Sequence, residues 1–436
     1  MTSARFIVGD TRDVVRSIPD GSVDLILTSP PFLALRSYLP ADHADKAAEI
    51  GSEPNPEAFV AMMLELSAEW RRVLAPHGSL CVELGDTYSG SGGGGGDYLP
   101  GGMRAGQTPF AGSAASAHFR TKEGITRYTR EDEPPRKQNA TGWPLAKSLS
   151  LIPELYRVGL VYGVNPLSGA LSPAGRWRAR NVVRWVRSNP PVGALADKFR
   201  PATSEMVVAC TSASRWFDGE AVRGEASPNT HSRSKAARFD TPSQQRDGNW
   251  STLAQVDSDP AAGAPPLDWW LINPAGFDGS HYATFPPDLC VRPILSMCPR
   301  RVCRTCGEPS RRHSEITGLV DRSGRQVERE VWASGVANGA GAHTNKTTSG
   351  TTTTTTGWST CGCPDTDGLR LDGFHEGAGW RNGVVLDPFA GTFTVGQVAH
   401  GHGRDSIGID LDERNVVHAE TRLGMWLTVE TGKATT

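Results

Sequence analysis

Short apolar runs that alternate with amphipathic segments recur along the chain and predict strands interspersed with helices. Short, predominantly apolar runs, which are typical of buried strands, lie at 6–8, 23–27, 79–84, 384–386 and 406–410. Residues 56–74 instead carry apolar side chains at helical spacing, and Asn55 can cap this helix. A further helix is predicted to begin at Pro286-Pro287. The pattern predicts an α/β fold.

The predicted strand at 23–28 runs into Ser29-Pro30-Pro31-Phe32, a stretch that can hold a flat ring bearing an amine. The two prolines fix φ and end the strand ladder, so the backbone leaves the sheet stiffly. Ser29 Oγ and the Pro30 carbonyl can accept hydrogen bonds from an amino group, and Phe32 can stack on the ring. A proline-terminated strand followed by a core phenylalanine would explain the same residues without a ligand.

A second stretch, Asp387-Pro388-Phe389-Ala390-Gly391-Thr392, forms a small-residue turn directly after an apolar strand. The next predicted strand ends in Asp410, and a strand, turn, helix and acid-terminated strand are typical of a nucleotide-binding half. The turn lacks a full Gly-x-Gly-x-x-Gly, which favours an adenosine-type ligand without a pyrophosphate. Asp410 would bind the ribose hydroxyls. An ordinary strand–turn–helix unit remains the alternative.

These two stretches together resemble the amino-DNA methyltransferases that use S-adenosylmethionine, in the permuted order called the β class. Two further segments support the resemblance in the right order: Val8-Gly9-Asp10 before the catalytic strand, and His281 to Pro286 at the start of a cofactor-side helix. The resemblance spans most of the chain. It implies a circularly permuted Rossmann-like methyltransferase fold with a mixed seven-stranded sheet and inserted loops.

The resemblance also assigns roles to individual residues. Catalytic roles are implied for Ser29, Pro30, Pro31 and Phe32. Cofactor-binding roles are implied for Asp10, Thr284, Phe285, Pro286, Asp387, Pro388, Phe389, Gly391, Thr392 and Asp410. The implied partner is double-stranded DNA with the target base flipped out of the helix.

Length and composition limit the domain size, the DNA-binding charge and the cellular location that are expected for this chain. At 436 residues the chain is too long for one small core, so a large domain with insertions is expected. The net charge of −2 means that any DNA contact must come from local basic patches. No apolar run approaches a membrane span, and no signal peptide precedes the first strand. A soluble, cytoplasmic, bacterial or phage-encoded protein is therefore expected, in which the eight cysteines are thiols or metal ligands.

Two cysteine pairs predict a structural zinc ribbon. Cys303 and Cys306 form a C-x-x-C, and Cys361 and Cys363 follow a long spacer as a C-x-C. Because the second pair departs from the usual spacing, Cys298 or His313 could replace one ligand, and unlinked thiols are the alternative. Four thiolates would leave no open position for water, so the role would be structural.

DNA contact is expected from two regions outside the motifs. Residues 176–187 interleave arginines with tryptophans, which suits a DNA backbone and a flipped base, although a solvated edge strand would look similar. The polar segment at 215–265 matches the place of the family's target-recognition region. The predicted division is a catalytic half at 1–214 with a flexible insertion at 85–142, the recognition region at 215–265, a cofactor-side helix region at 266–299, the zinc ribbon at 300–366 and a cofactor-binding half at 380–436.

The sequence therefore predicts site-specific methylation of an exocyclic amine in DNA, in restriction-modification or phage or host DNA protection. Ser29 in the first motif position resembles the N4-cytosine enzymes, whereas Asp or Asn is usual for N6-adenine, so N4-cytosine is favoured and N6-adenine is the alternative. C5-cytosine chemistry is excluded, because no Pro-Cys pair exists in the chain. A non-catalytic zinc-bearing DNA-binding protein and a methyltransferase acting on RNA or protein are the competing classes. The oligomeric state is left open.

Overall fold

The computed structural model describes residues 2–35, 38–39, 42–89, 98–99, 103–104, 141–190, 198–224, 265–274, 286–317, 329–332, 352–363 and 379–432. The chain divides into two compact units. The first comprises Met1–Arg215, Asp268–Cys298 and Asn382–Thr436, and the second comprises Trp216–Leu267 and Pro299–Arg381. No helix in these described ranges is long and apolar enough to cross a membrane.

The secondary structure alternates between strands and helices as the hydrophobic pattern predicts. The strands are β1 Ala4–Val8, β2 Val23–Thr28, β3 Leu74–Leu84, β4 Tyr98–Leu99, β5 Met103–Arg104, β6 Arg178–Val186, β7 Thr203–Cys210, β8 Trp269–Leu271, β9 Arg301–Cys303, β10 Arg312–Thr317, β11 Arg329–Trp332, β12 Thr352–Trp358, β13 Trp380–Asn382, β14 Val384–Asp387, β15 Asp405–Asp410 and β16 Leu427–Thr431. The α-helices are α1 Thr11–Val14, α2 Pro56–Val73, α3 Ile152–Tyr162, α4 Pro287–Met297, α5 Thr394–Gly401 and α6 Val416–Leu423.

One large mixed sheet organises the first unit. Among the described residues it has nine strands in the order β16-β1-β15-β14-β2-β3-β7-β6-β8. The neighbours from β16 to β3 pair in parallel, whereas β7 runs antiparallel to both β3 and β6. The mixed α/β class is confirmed. The sheet exceeds the predicted seven strands because short strands are added at its two edges, β16 beside β1 and β8 beside β6.

The strand order brings the two ends of the chain together at the centre of the sheet. β14, from the C-terminal part, lies between β15 and β2, with Val385 opposite Leu25. All six residues of β2 are buried, because helices cover both faces of a parallel sheet. The last strands of the chain therefore complete the sheet that the first strands begin, as the predicted permutation requires.

The helices cover this sheet through their apolar sides. Asn55 caps α2 by accepting a hydrogen bond from the Ala58 amide at 2.9 Å, as the sequence predicts. Phe59 and Trp70 of α2 are fully buried in the main core cluster. α4 begins at Pro287, in agreement with the predicted Pro286-Pro287 start.

The second unit is built from short strands. β10 pairs antiparallel with both β11 and β12, and β9 pairs with β13. Most of the predicted recognition region, 225–264, and most of the predicted insertion at 85–142 lie outside the described residues.

Candidate active site

The two predicted motifs meet at the C-terminal edge of the central strands. β2 and β14 are parallel neighbours, so the residues that follow them lie at one edge of the sheet, where open α/β sheets bind ligands. The Thr28 hydroxyl donates a hydrogen bond to Asp387 Oδ1 at 2.7 Å, with both side chains buried. This bond joins the last residue of β2 to the first acid of the turn at 387–392, which is predicted to bind the cofactor and is called the cofactor turn below.

Ser29 is oriented by a buried carboxylate on the neighbouring strand. Its hydroxyl donates to Glu83 Oε2 at 2.6 Å, and Glu83 is only 3% exposed. Burial raises the pKa of Glu83, while the Ser204 and Ser29 hydroxyls and the positive charge of Arg187 act in the opposite direction. Because the Ser29 proton points to Glu83, the lone pairs of its oxygen are available to accept a hydrogen bond from an amine.

The remainder of the Ser-Pro-Pro-Phe stretch packs against glycines. A Cβ placed on Gly85, directly after β3, would lie 2.5 Å from the Phe32 ring, so only glycine permits this close approach. Gly51, with φ of +93°, fits under Pro31 and the Phe32 carbonyl in the same way. The Phe32 ring is partly exposed and packs against the main core cluster, which holds it rigidly beside Ser29.

The cofactor turn is organised around Asp387. Its Oδ1 also accepts a hydrogen bond from the Phe389 amide at 3.2 Å, whereas Oδ2 accepts none from the described residues. Burial is the main cause that raises the pKa of Asp387 to about 7, and the negative charge of Asp410 contributes. Oδ2 is therefore the oxygen of this largely buried carboxylate that is left to accept a hydrogen bond from an amine-bearing ligand.

Asp410 binds the opposite side of the same turn. Oδ2 accepts from the Gly391 amide at 2.6 Å, and Oδ1 accepts from the Asp412 amide at 2.8 Å and from Asn415 Nδ2 at 3.0 Å. Burial raises its pKa to about 6. Since each carboxylate oxygen can accept two hydrogen bonds, Oδ2 retains one position for a ligand hydroxyl.

Asp10 lies near this acid, because Val8 of β1 is opposite Asp410 of β15. It caps α1 and pairs with the Arg12 guanidinium, with Nη2 and Oδ2 2.5 Å apart.

Phe393, at the end of the cofactor turn, packs into the core below it. It is fully buried although its backbone is left-handed, with φ of +58°. Its ring occupies the space that Cβ atoms at Gly396 and Gly408 would need, each only 2.5 Å from the ring, and it meets Phe6 edge-on with 5.6 Å between ring centroids. The ring therefore packs between α5 and β15, the strand that carries Asp410, and supports the turn that precedes α5.

The family profile described as DNA methylase matches residues 23–301 and 378–421, well over half of the chain. The chain belongs to the DNA methylase family. The predicted resemblance to amino-DNA methyltransferases of the N4/N6 class is therefore confirmed.

Similar proteins include two curated relatives and one solved structure. Type II methyltransferase M.SfiI of Streptomyces fimbriatus is 28% identical over 48% of this chain and 36% of its own length. Type II methyltransferase M.Cfr9I of Citrobacter freundii is 24% identical over 68% of this chain and 72% of its own. The solved structure is PvuII DNA methyltransferase (cytosine-N4-specific), 12% identical, with a TM-score of 0.44 over 97% of this chain and 86% of that one. The match thus spans about a third of M.SfiI and nearly three quarters of M.Cfr9I.

Most of the predicted site residues of this DNA methylase come together at one sheet edge. Ser29, Asp387 and Asp410 are linked through the contacts above, and Thr392 is buried in the same turn. Pro286 is the residue that precedes α4. Thr284 and Phe285 lie outside the described residues, so their predicted cofactor contacts stay predictions.

Glu83 is the site residue that motif reasoning missed. The signal was present in the sequence, because Glu83 is the only acid in a strand that is otherwise apolar or small at 79–84. A buried acid in a central strand needs a hydrogen-bond partner, and the partner proved to be Ser29.

The second unit holds the predicted metal ligands in one cluster. The sulfur atoms of Cys303, Cys306, Cys361 and Cys363 all lie within 4.8 Å of one another. Gly307 and Gly362 both have φ of +74°, which lets the chain turn tightly at each cysteine pair. Four converging thiols fit a tetrahedral zinc ion, and neither Cys298 nor His313 belongs to the cluster formed by the described residues.

Proposed function

We propose that this DNA methylase transfers a methyl group from S-adenosylmethionine to the exocyclic N4 amine of cytosine in duplex DNA. The observation that carries the proposal is the Ser29–Glu83 hydrogen bond placed beside the Thr28–Asp387 bond. The first pair supplies an oriented acceptor for an amine, and the second ties that acceptor to the cofactor turn. Its relatives named type II methyltransferases support a role in restriction-modification.

The cofactor supplies an electrophilic methyl group on its sulfonium sulfur. Asp387 Oδ2 would hold the methionine amine and Asp410 Oδ2 a ribose hydroxyl, with Asp10 on the adenine side. Gly391, whose φ is +50°, keeps the turn open between them. Pro388 and Phe389 shape the same turn, and Phe389 rests edge-on against Trp70 at 6.5 Å between ring centroids.

Catalysis would come from positioning and hydrogen bonding, without a covalent enzyme intermediate. The exocyclic amine is weakly nucleophilic because its lone pair is conjugated with the ring. Ser29 Oγ and the Pro30 carbonyl accept its hydrogens, so that the lone pair turns away from conjugation. As the nitrogen–methyl bond forms, the sulfur–methyl bond of the sulfonium would break and its electron pair would stay on the sulfur. The amine proton would then pass to Ser29 Oγ while the Ser29 proton moves to Glu83. Burial suits Glu83 to this role, because its raised pKa makes it a stronger base.

The target base must leave the duplex to reach this edge, and Phe32 would replace part of its lost stacking. Cytosine is favoured over adenine because Ser29 occupies the first motif position, as in the N4-cytosine enzymes that the chain resembles. The family match and the linked polar groups argue against a purely DNA-binding zinc protein.

We also propose that the four-cysteine cluster binds one structural zinc ion. The convergence of four sulfur atoms supports this assignment, and the exposure of Cys306 shows that burial alone does not hold the cluster together.

The experiment compares Ser29→Ala with Ser22→Ala, using DNA and labelled S-adenosylmethionine. Ser22 is a matched control, because it directly precedes the same strand and its exposed hydroxyl donates to the Pro19 carbonyl. Ser29→Ala should slow methyl transfer about a hundredfold while cofactor affinity stays unchanged, and Ser22→Ala should behave like wild type. Equal rates for Ser29→Ala and wild type would contradict the proposed role of Ser29.

A further inference from the structure

A row of polar side chains crosses one face of the sheet beside Ser29. Glu83 of β3 is opposite Met206 of β7, and Trp185 of β6 is opposite Ser204. Alternate residues of a strand face the same side, so Ser204 shares the face of Glu83. Arg187 continues this face beyond Trp185, because its backbone amide still bonds to the Ala202 carbonyl at 2.8 Å.

One atom in this row is buried without a hydrogen bond. Arg187 Nε has no partner among the described residues, whereas the Ser204 side chain, only 6% exposed, interacts with Glu83 and lowers the pKa of that carboxyl. Buried polar atoms in proteins nearly always have a partner, and a bound ligand is one way to supply it.

Arg187 is held in place from two sides. Its guanidinium lies 4.6 Å from the centre of the Trp185 ring, and the Trp185 indole donates to the Ile272 carbonyl at 2.7 Å. Its positive charge also acts on Glu83, the partner of Ser29. Arg187 is therefore a preorganised donor on the face that carries the catalytic serine.

We propose that Arg187 is a specificity-determining residue that donates hydrogen bonds to O2 and N3 of the flipped target cytosine. This inference rests on the proposed function, since it requires that a base enters beside Ser29. Cytosine carries its amine, N3 and O2 along one edge, so Ser29 and Pro30 would hold the amine while Arg187 holds the other two atoms. A guanidinium presents parallel donors that match two adjacent acceptors. Adenine has only one acceptor, N1, beside its amine, so the same arrangement would leave a donor unpaired.

The test uses the full-length protein with Arg187→Lys and Arg187→Gln, and Arg5→Gln as the control. Arg5 is an arginine that pairs with an acid, Glu430, near the opposite edge of the sheet. Three quantities are measured: the kcat/KM for N4-methylcytosine formation, S-adenosylmethionine affinity by calorimetry, and the dependence of DNA affinity on salt. Arg187→Lys keeps the positive charge beside Glu83, so it remains informative if Arg187→Gln does not fold.

Both Arg187 variants should lose about tenfold to a hundredfold in kcat/KM for DNA, the range for a lost bidentate base contact. Their cofactor affinity and the salt slope of DNA binding should match wild type, as should every property of Arg5→Gln. Wild-type activity in Arg187→Lys would overturn the inference, because charge alone would then suffice. A salt slope reduced by about one would also overturn it, since that indicates a phosphate contact. A wild-type protein that methylates no nucleoside would instead remove the proposed function itself.

Discussion

Phe393 offers a sharp test of how the cofactor turn is built. A fully buried phenylalanine with φ of +58° is unusual, because a left-handed backbone costs a residue with a Cβ about 1–2 kcal/mol. The ring offsets this cost by packing against Gly396, Gly408 and Phe6. Side-chain packing and backbone strain therefore act in opposite directions at one residue and can be separated by two substitutions.

Phe393→Ala should lower the free energy of unfolding by about 3–5 kcal/mol, the usual cost of truncating a buried phenylalanine. Phe393→Gly removes the same ring but also relieves the left-handed backbone. The glycine variant should therefore be about 1 kcal/mol more stable than the alanine variant, although glycine is normally the less stable of the two.

Urea unfolding followed by tryptophan fluorescence can measure the difference between the two variants. Phe59 provides the control, because it is equally buried but lies within helix α2. At Phe59, glycine should be about 1 kcal/mol less stable than alanine. If Phe393→Ala were as stable as Phe393→Gly or more stable, the left-handed backbone at residue 393 would not be strained. That result would contradict this explanation of the turn.

Three further predictions concern the turn and the cysteine cluster. Gly391→Trp fills the turn between Asp387 and Asp410, so calorimetry should show no binding of S-adenosylmethionine; unchanged affinity would refute the cofactor assignment. Native Asp387 holds its proton up to about pH 7, whereas the unfolded chain releases it near its ordinary pKa of 3.8, so stability should fall as pH rises through this interval. Unfolding midpoints between pH 4 and 8 should decline less steeply for Asp387→Asn, and an equal decline would contradict the raised pKa. Metal analysis of protein prepared without chelators should find one zinc per chain, lost in Cys363→Ser and kept in Cys298→Ala; zinc-free wild type would refute the ribbon.

The main features of the fold follow from sequence because apolar runs and turn chemistry act locally. Predominantly apolar residues at 23–27 and 384–386 specify buried strands, and the strand at 406–410 ends in the acid that contacts the turn. The two added edge strands could not be foreseen in the same way. β16 is mostly exposed or partly exposed, and β8 has only three residues, so neither has a strong hydrophobic pattern.

The candidate site was predictable where a motif places the residue and unpredictable where tertiary pairing does. Ser29 follows β2 and Asp387 ends β14, and recognisable turn residues come after each. Glu83 and Arg187 lie on the side of Ser29 only because of the strand order. This order places β3 beside β2, and β6 two strands beyond β3. No local pattern in one sequence encodes that neighbourhood. Phe393 is a related case, since a phenylalanine in a left-handed turn position contradicts its local preference.

Methyl transfer to the N4 amine of cytosine can be tested by identifying the methylated nucleoside. Duplex DNA is incubated with the purified protein and methyl-labelled S-adenosylmethionine, then digested to nucleosides and analysed by mass spectrometry. Labelled N4-methylcytosine is the expected product. Label found only in N6-methyladenine would contradict the choice of base, and DNA without any labelled nucleoside would contradict the proposed catalysis.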